Sequence, residues 1–333
     1  MIHSFTHLLL HRTTLSLQYD NAQLVVTYLN AFQVTKSPLY RQIAEETLQY
    51  ILRDMMRPDG GVYSAEDADS YDPAEMEMEQ KEKKEGAFYA WTCSEIDSLL
   101  THDEALAIKE VYGMKEEGNC TRSRYSDPHH EFAGKNVFYR KHGRDVQAVW
   151  SALKESVESI ESVEELEGVI ASGRRKLFGA RCERPRPHLD SKVICGWNGL
   201  ILSSFAVAHK VLVLGSTDGG NGDVDGGLYL ETAVGIAEFM HREMRDAESG
   251  YLYRIHGKDD IFGFAADYSF LIRGLLDLFE ASFDAKWLKW SVELQDIQNA
   301  LFFDDAAGSY FETVEGAENV IMRLKEEYDG GMY

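Results

Sequence analysis

Tyr19-Asp20-Asn21-Ala22 and, further along, Gly60-Gly61-Val62-Tyr63 bracket a stretch whose plan returns twice more in the chain. The second copy runs from Gly196-Trp197-Asn198-Gly199 to Gly250-Tyr251-Leu252-Tyr253, the third from Ala266-Asp267-Tyr268-Ser269 to Gly308-Ser309-Tyr310-Phe311. In each copy an aromatic residue (Tyr40, Tyr229, Trp287) stands 21 positions before a glycine (Gly61, Gly250, Gly308). From Asp20 to Tyr40 and from Asp267 to Trp287 is 20 residues; from Asn198 to Tyr229 it is 31, because a Gly/Asp-rich insert around Ser216 to Gly227 lengthens the turn. Repetition at fixed spacing marks one supersecondary unit used several times.

The unit reads as a helical hairpin. Tyr40, Ile43, Ala44, Thr47, Leu48, Ile51, Leu52 and Met55 fall at helical spacing, as do Leu230, Ala233, Val234, Ala237, Met240, His241 and Met244. That is the stripe of a helix with one buried face. Asp20, Asn198 and Asp267 stand where an N-cap would stand, and Gly60, Gly61, Gly250 and Gly308 where the second helix would stop. A fourth, less regular unit lies between: Gly86-Ala87-Phe88-Tyr89-Ala90-Trp91 is expected as a strand, Thr92 or Ser94 as the cap of a helix through Ile96 and Leu99, and Val146 to Leu177 as helix. Glu117 to His142 has no periodicity and is expected as a long functional loop. Hairpins that need neighbours to cover their apolar faces predict an all-α fold, a toroid or solenoid with short strands between hairpins.

Composition limits the function. The 333 residues are 44% hydrophobic, with no apolar run near the ~18 residues of a membrane span. Six prolines, where average usage of roughly 5% gives about 17, favour helix. A net charge of -22, from 34 basic and 56 acidic side chains, argues against nucleic-acid and membrane-surface partners. Cys93, Cys120, Cys182 and Cys195 form neither a CxxC motif nor a disulfide framework. The opening residues lack a basic region before their apolar stretch, which His3, His7 and His11 interrupt, so a cytoplasmic location is expected.

Several of these segments resemble a known family. Tyr19-Asp20-Asn21-Ala22-Gln23-Leu24, the run from Gly60 to Ser70, Glu85-Gly86-Ala87-Phe88-Tyr89-Ala90-Trp91-Thr92, Gly134-Lys135-Asn136-Val137, the run from Arg186 to Val193 and Trp197-Asn198-Gly199-Leu200 are similar, in order, to the spermatogenesis-associated protein 20 (YyaL-like) family. The resemblance implies an (α/α)6 toroid like those of six-hairpin glycosidases and N-acylglucosamine 2-epimerases, preceded by a thioredoxin-like domain. Residues 1–18 do not resemble the family's lead-in, and Ser191 stands where members usually carry Asp. Residues 19–333 are therefore expected as a partial toroid, with hairpins at about 20–63, 86–180, 197–253 and 266–311 and without the thioredoxin-like domain.

Candidate chemistry centres on Ser64-Ala65-Glu66-Asp67-Ala68-Asp69-Ser70. Three carboxylates within four residues repel one another, which favours one that holds its proton as a general acid does. Nine acids and three lysines lie between Ser64 and Glu85, and the part from Glu75 onward reads as a solvated charge run. Pro185 and Pro187 stiffen the segment that presents His188, and Asp190 follows two residues later, an arrangement suited to an acid/base pair. Glu66, Asp67, Asp69, His188 and Asp190 are the catalytic candidates. Asp20, Arg186, Trp197, Asn198 and Asp267 are the substrate-binding candidates, with Arg184 a further anion contact and Trp91 a stacking surface. Neither metal nor cofactor is expected. His129-His130 lacks a third ligand at defined spacing, and the calcium-like Asn221-Gly222-Asp223-Val224-Asp225-Gly226 has Thr232 where a bidentate Glu is required. The leading expectation is acid/base chemistry on a small-molecule sugar in a toroid cavity; the alternatives are a non-catalytic binding or scaffold module of a thioredoxin-domain family, or an inactive fragment.

Overall fold

Apolar residues at helical spacing become helices, and the computed structural model shows which faces they bury. It describes residues 16–75, 82–120, 132–143, 145–157, 159–214, 227–317 and 320–325. Among the described residues, the helices are α1 (Gln18–Thr35), α2 (Pro38–Tyr50), α3 (Cys93–Leu99), α4 (His102–Val111), α5 (Val146–Leu153), α6 (Val163–Cys182), α7 (Cys195–Ala208), α8 (Leu228–Glu243), α9 (Ala265–Ser282) and α10 (Ala285–Phe302). Wide π-helical turns at Ile51–Met55 and His209–Leu214 extend α2 and α7. The chain is mostly helical and divides into two compact units, a hairpin unit from Leu17–Ala65 with Asp190–Tyr333, and a middle unit whose main part is Glu66–Leu189.

In the hairpin unit the three copies of the repeat are three helix pairs. Helix α1 packs on α2, α7 on α8, and α9 on α10, while α1 also packs on α7 and α7 on α9. One core runs through Val25, Leu29, Leu48, Phe205, Phe239, Leu275 and Leu294. Each such side chain removed from water contributes about 1.5–3 kcal/mol. Helices α7 and α9 touch backbone to backbone because glycine faces glycine. A Cβ on Gly199 would lie 2.6 Å from the Leu271 nitrogen, and one on Gly274 2.5 Å from the Gly199 carbonyl oxygen. Contrary to the expectation of no such run, the 20 residues Cys195–Leu214 are long and apolar enough to cross a membrane by composition; most of that surface is covered inside this unit.

Helix starts differ from the expectation by one turn. The caps are Leu17, Ile194 and Phe264, so Asp20, Asn198 and Asp267 lie inside the first turn of their helices. Of the three, Asp267 reaches back to accept the Phe264 N–H at 2.8 Å, the carboxylate half of a capping box. The repeat glycines do not stop helices either. Helical structure ends at Met55, Glu243 and Phe302, and Gly60, Gly250 and Gly308 follow in turns at positive φ (110°, 76° and 64°). These are left-handed positions that glycine occupies without strain.

The middle unit is built differently. Helix α4 packs on α3, α5 and α6 around Trp91, Ile96, Ile108, Val149 and Leu166. Thr92 caps α3 as expected: Glu95 N–H donates to its hydroxyl at 3.1 Å, and Thr92 N–H donates to the Glu95 carboxylate at 2.7 Å. The expected strand at Gly86–Trp91 is instead a turn, opened by Gly86 at φ 67°. Pairing occurs just before it, where Asp69–Tyr71 runs antiparallel to Lys83–Glu85 with Asp69 opposite Glu85. The expected helix from Val146 to Leu177 is two helices, α5 and α6, the second capped by Ser162. His129-His130 and the calcium-like segment lie outside the described residues, as does part of the loop from Glu117 to His142.

Candidate functional site

Glu66 closes a two-residue strand and is 2% exposed. A buried carboxylate needs a cation and donors to offset lost hydration. Arg186 supplies the first, donating from Nη2 to Glu66 Oε1 at 2.8 Å across 120 residues of sequence, and the Tyr89 hydroxyl donates to Oε2 at 3.4 Å. The turn that carries Tyr89 also places Phe88 under the Arg186 guanidinium, 5.7 Å from ring centre to Cζ. Arg181, from the last turn of α6, stacks on both rings at 5.5 and 5.3 Å. Phe88 and Tyr89 stand edge to face, 4.9 Å between centroids, with Arg181 at both rings and Arg186 at Phe88, contacts worth of order 0.5–2 kcal/mol each.

The next residue pairs with the same distant segment. Asp67 N–H donates to the His188 carbonyl at 2.8 Å, so the backbones of these two residues meet. The His188 ring is exposed and the Asp67 carboxylate is 40% exposed, 3.9 Å from Lys83 Nζ. Asp69 is half-buried on its strand, with its N–H 3.4 Å from Asp67 Oδ1. The three carboxylates do not converge: Glu66 faces Arg186, Asp67 faces Lys83, and Asp69 lies on the strand opposite Glu85. Four of the sequence candidates, Glu66, Asp67, Arg186 and His188, are therefore brought together in the middle unit.

The two arginines flanking Pro185 do different work. Arg184 is 9% exposed and donates to the carbonyls of Ala87, Phe88 and Ala90 at 3.4, 3.0 and 2.8 Å, and to Glu95 at 3.0 Å. Its guanidinium lies 3.7 Å over the Trp91 ring. Burial pulls its pKa down from the ordinary arginine range, with Glu95 opposing. This corrects two expectations, since Arg184 does not face a ligand and the 3% exposed Trp91 has a ring face covered by protein. The same contacts explain why residues 87–90 turn instead of forming a strand: their carbonyls converge on one cation.

The other candidates lie in the hairpin unit. Asn198 is fully buried; its carbonyl accepts Val62 N–H at 2.9 Å and its amide donates to Val62 and Ile194 carbonyls at 3.1 and 2.9 Å. Asp267 is 2% exposed and accepts from Gly196 N–H at 2.8 Å, Phe264 N–H at 2.8 Å and Arg254 at 2.9 Å. One carboxylate thereby serves the N-terminal ends of both α7 and α9, where the helix dipoles favour negative charge. Burial pushes the Asp267 carboxyl up nonetheless, against Arg254 and the two N–H groups. The neighbouring Cys195 thiol is driven well above the ordinary range by its own burial and then by Asp267. Trp197 is half-buried edge-on to Tyr19, with centroids 4.8 Å apart, and Asp20 is half-buried in the first turn of α1. Asp190 accepts from Lys192 Nζ at 2.6 Å; burial raises its pKa, but the Lys192 contacts outweigh this and leave it below the ordinary carboxylate value. Arg254 went unnoticed in the sequence, because the other two copies of the repeat offer no matching arginine.

Curated relatives agree with the resemblance. The chain is 37% identical to human spermatogenesis-associated protein 20 over 332 residues, and 36% identical to the mouse protein over the same length. These alignments cover 94% of the chain. The chain is a homologue of spermatogenesis-associated protein 20. It spans about 39% of the length of those relatives. No protein-family model matches it. Among solved structures, a D-mannose isomerase is 11% identical with a TM-score of 0.35, covering 90% of this chain and 64% of that one. Cellobiose 2-epimerase from Spirochaeta thermophila is 12% identical with a TM-score of 0.33, covering 96% and 82%. Likeness of this degree says nothing about a reaction.

Proposed function

We propose that this homologue acts on a sugar by acid/base chemistry, with Asp67 and His188 handling the proton. The observation that supports the reading is the Asp67 N–H to His188 carbonyl bond, which brings together the backbones of two residues whose side chains are both accessible. A carboxylate that takes a proton from carbon or oxygen, and an imidazole that returns one, are the usual partners for such work. Glu66 is a positioning residue here: buried on Arg186, it fixes the segment that presents His188. The chain's charge of -22 supports an uncharged polyol over a phosphorylated substrate. The sugar class itself rests on the toroid that the sequence resemblance implies, a fold that also hosts other chemistries.

A non-catalytic binding role is the second reading, favoured by the Glu66–Arg186–Tyr89 contacts, which fasten two segments without needing a ligand. Thermal unfolding against a panel of neutral mono- and disaccharides, paired with product analysis, separates the two. A sugar at 100 times its Kd adds about 2.7 kcal/mol to stability. The sugar reading expects one sugar to raise Tm and be converted, with conversion lost in Asp67→Asn and His188→Ala at unchanged Tm of the free protein. No sugar-dependent shift and no turnover would overturn it and leave the binding-module reading.

A further inference from the structure

We propose that the middle unit carries a second site, separate from Asp67 and His188, for a small monocarboxylate with a short aliphatic tail. A cavity of about 170 Å³ opens where the end of α4, the start of α5 and one face of α6 meet. Val111, Val146, Val149 and Ile170 give it an apolar wall, and Arg140, Arg174 and Glu167 give it a charged rim. Glu167, Ile170 and Arg174 share one stripe of α6 at i, i+3 and i+7, so helix geometry alone lines them up along the opening.

Arg140 is the group that calls for a ligand. It is half-buried, and among the described residues its side chain has no hydrogen-bond or ion-pair partner. Its neighbours are provided for: Lys141 and His142 both contact Glu110, at 2.6 and 2.7 Å. Asp145, also on the rim, accepts the Ala148 N–H at 2.9 Å as the cap of α5. A guanidinium partly withdrawn from water gains most from a planar, singly charged oxyanion that it can grip with two N–H groups. Glu167 and Asp145, which line the same cavity, disfavour a dianion such as phosphate, and the valine and isoleucine wall favours a hydrocarbon tail. The volume lies below the roughly 300 Å³ at which pockets begin to take drug-sized ligands, which limits the tail to a few carbons.

The probe is 3-methylbutanoate, titrated into the full chain and followed by NMR of the Ile170 methyl groups, with 3-methylbutan-1-ol and inorganic phosphate as controls. The proposal expects a saturable shift with the acid alone, and at least tenfold weaker affinity in Arg140→Gln at unchanged Tm. Ala171→Phe, which fills the cavity from the exposed side of α6, should abolish the shift while Arg140 is retained. A non-saturable response to 3-methylbutanoate, equal binding of phosphate or of the alcohol, or an Arg140→Gln affinity like that of the parent chain would each overturn it.

Discussion

The hairpin unit and the middle unit are both helical, yet their cohesion has different sources. In the hairpin unit, apolar stripes meet face to face and glycines let α7 and α9 touch. Two of its buried polar groups, Asn198 and Asp267, tie a helix start to a neighbouring backbone, and a third, Asp277, joins α7 to α9 by accepting from Ser203. In the middle unit, single charged side chains hold irregular backbone: Arg184 gathers three carbonyls and Glu95, and Glu104 gathers Lys176, Ser172 and the Thr101 N–H. Repetition makes the first kind regular. The second kind leaves exposed loops free to carry Asp67 and His188, the pattern expected when function rides on connecting segments.

The comparison breaks first at Gly274. Valine there would press its Cβ into the Gly199 carbonyl, a backbone atom that cannot swing aside. Overpacking of this kind costs about 3 kcal/mol or more, so Gly274→Val should melt the hairpin unit well below the parent chain in calorimetry. Arg184→Met tests the middle unit, replacing the cation by a side chain of similar reach that leaves the Ala87, Phe88 and Ala90 carbonyls without their donor and Glu95 with its Thr92 hydrogen bonds alone. About 2–3 kcal/mol should be lost, read as faster amide exchange at Phe88 to Trp91 with the α7 and α9 amides unchanged. An equal effect on both sets of amides would mean that the units do not differ as described.

Acid sharpens the same contrast. Burial alone would raise the Glu104 pKa, but Lys176, the Thr101 N–H and Ser172 overcome it and bring it from 4.5 down to about 2. A carboxylate depressed in the folded state adds stability that is complete above the unfolded value and lost as pH falls through the folded one. The middle unit should therefore lose stability between about pH 4.5 and 2, and Glu104→Gln should flatten that slope at constant ionic strength. A smaller effect is expected at Thr92→Ala, which removes one half of a capping box and costs about 1 kcal/mol.

How legible each unit was follows from its chemistry. Periodicity finds helices whose packing is apolar, so the three repeats, their aromatic-to-glycine spacing and most of the buried faces of α2 and α8 could be read from the chain, although His241, at the right spacing on α8, is exposed. The first turns could not: Leu17, Ile194 and Phe264 are poor cap residues by type, and the polar residues one turn later drew the boundary inward. In the middle unit Gly86–Trp91 looks like a strand because five of its six residues are apolar or aromatic and nothing local announces Arg184, nearly 100 positions away. The candidate site was half legible. Clustered acids and a proline-stiffened histidine drew notice to Glu66, Asp67, Arg186 and His188, but which carboxylate is buried and which is open depends on long-range pairing. Asp267 and Asn198 show the reverse case, residues conspicuous by their place in the repeat whose hydrogen bonds are taken up within the chain.

The most direct measurement is deuterium wash-in. Reducing sugars are incubated with the chain in heavy water and followed by NMR for solvent deuterium at carbon 2, beside Asp67→Asn and His188→Ala at matched Tm. Enzyme-dependent exchange in the parent chain, abolished in both variants, is the predicted result. Exchange that persists in both variants, or a parent chain that neither exchanges nor converts any sugar, would contradict a proton-handling pair at Asp67 and His188.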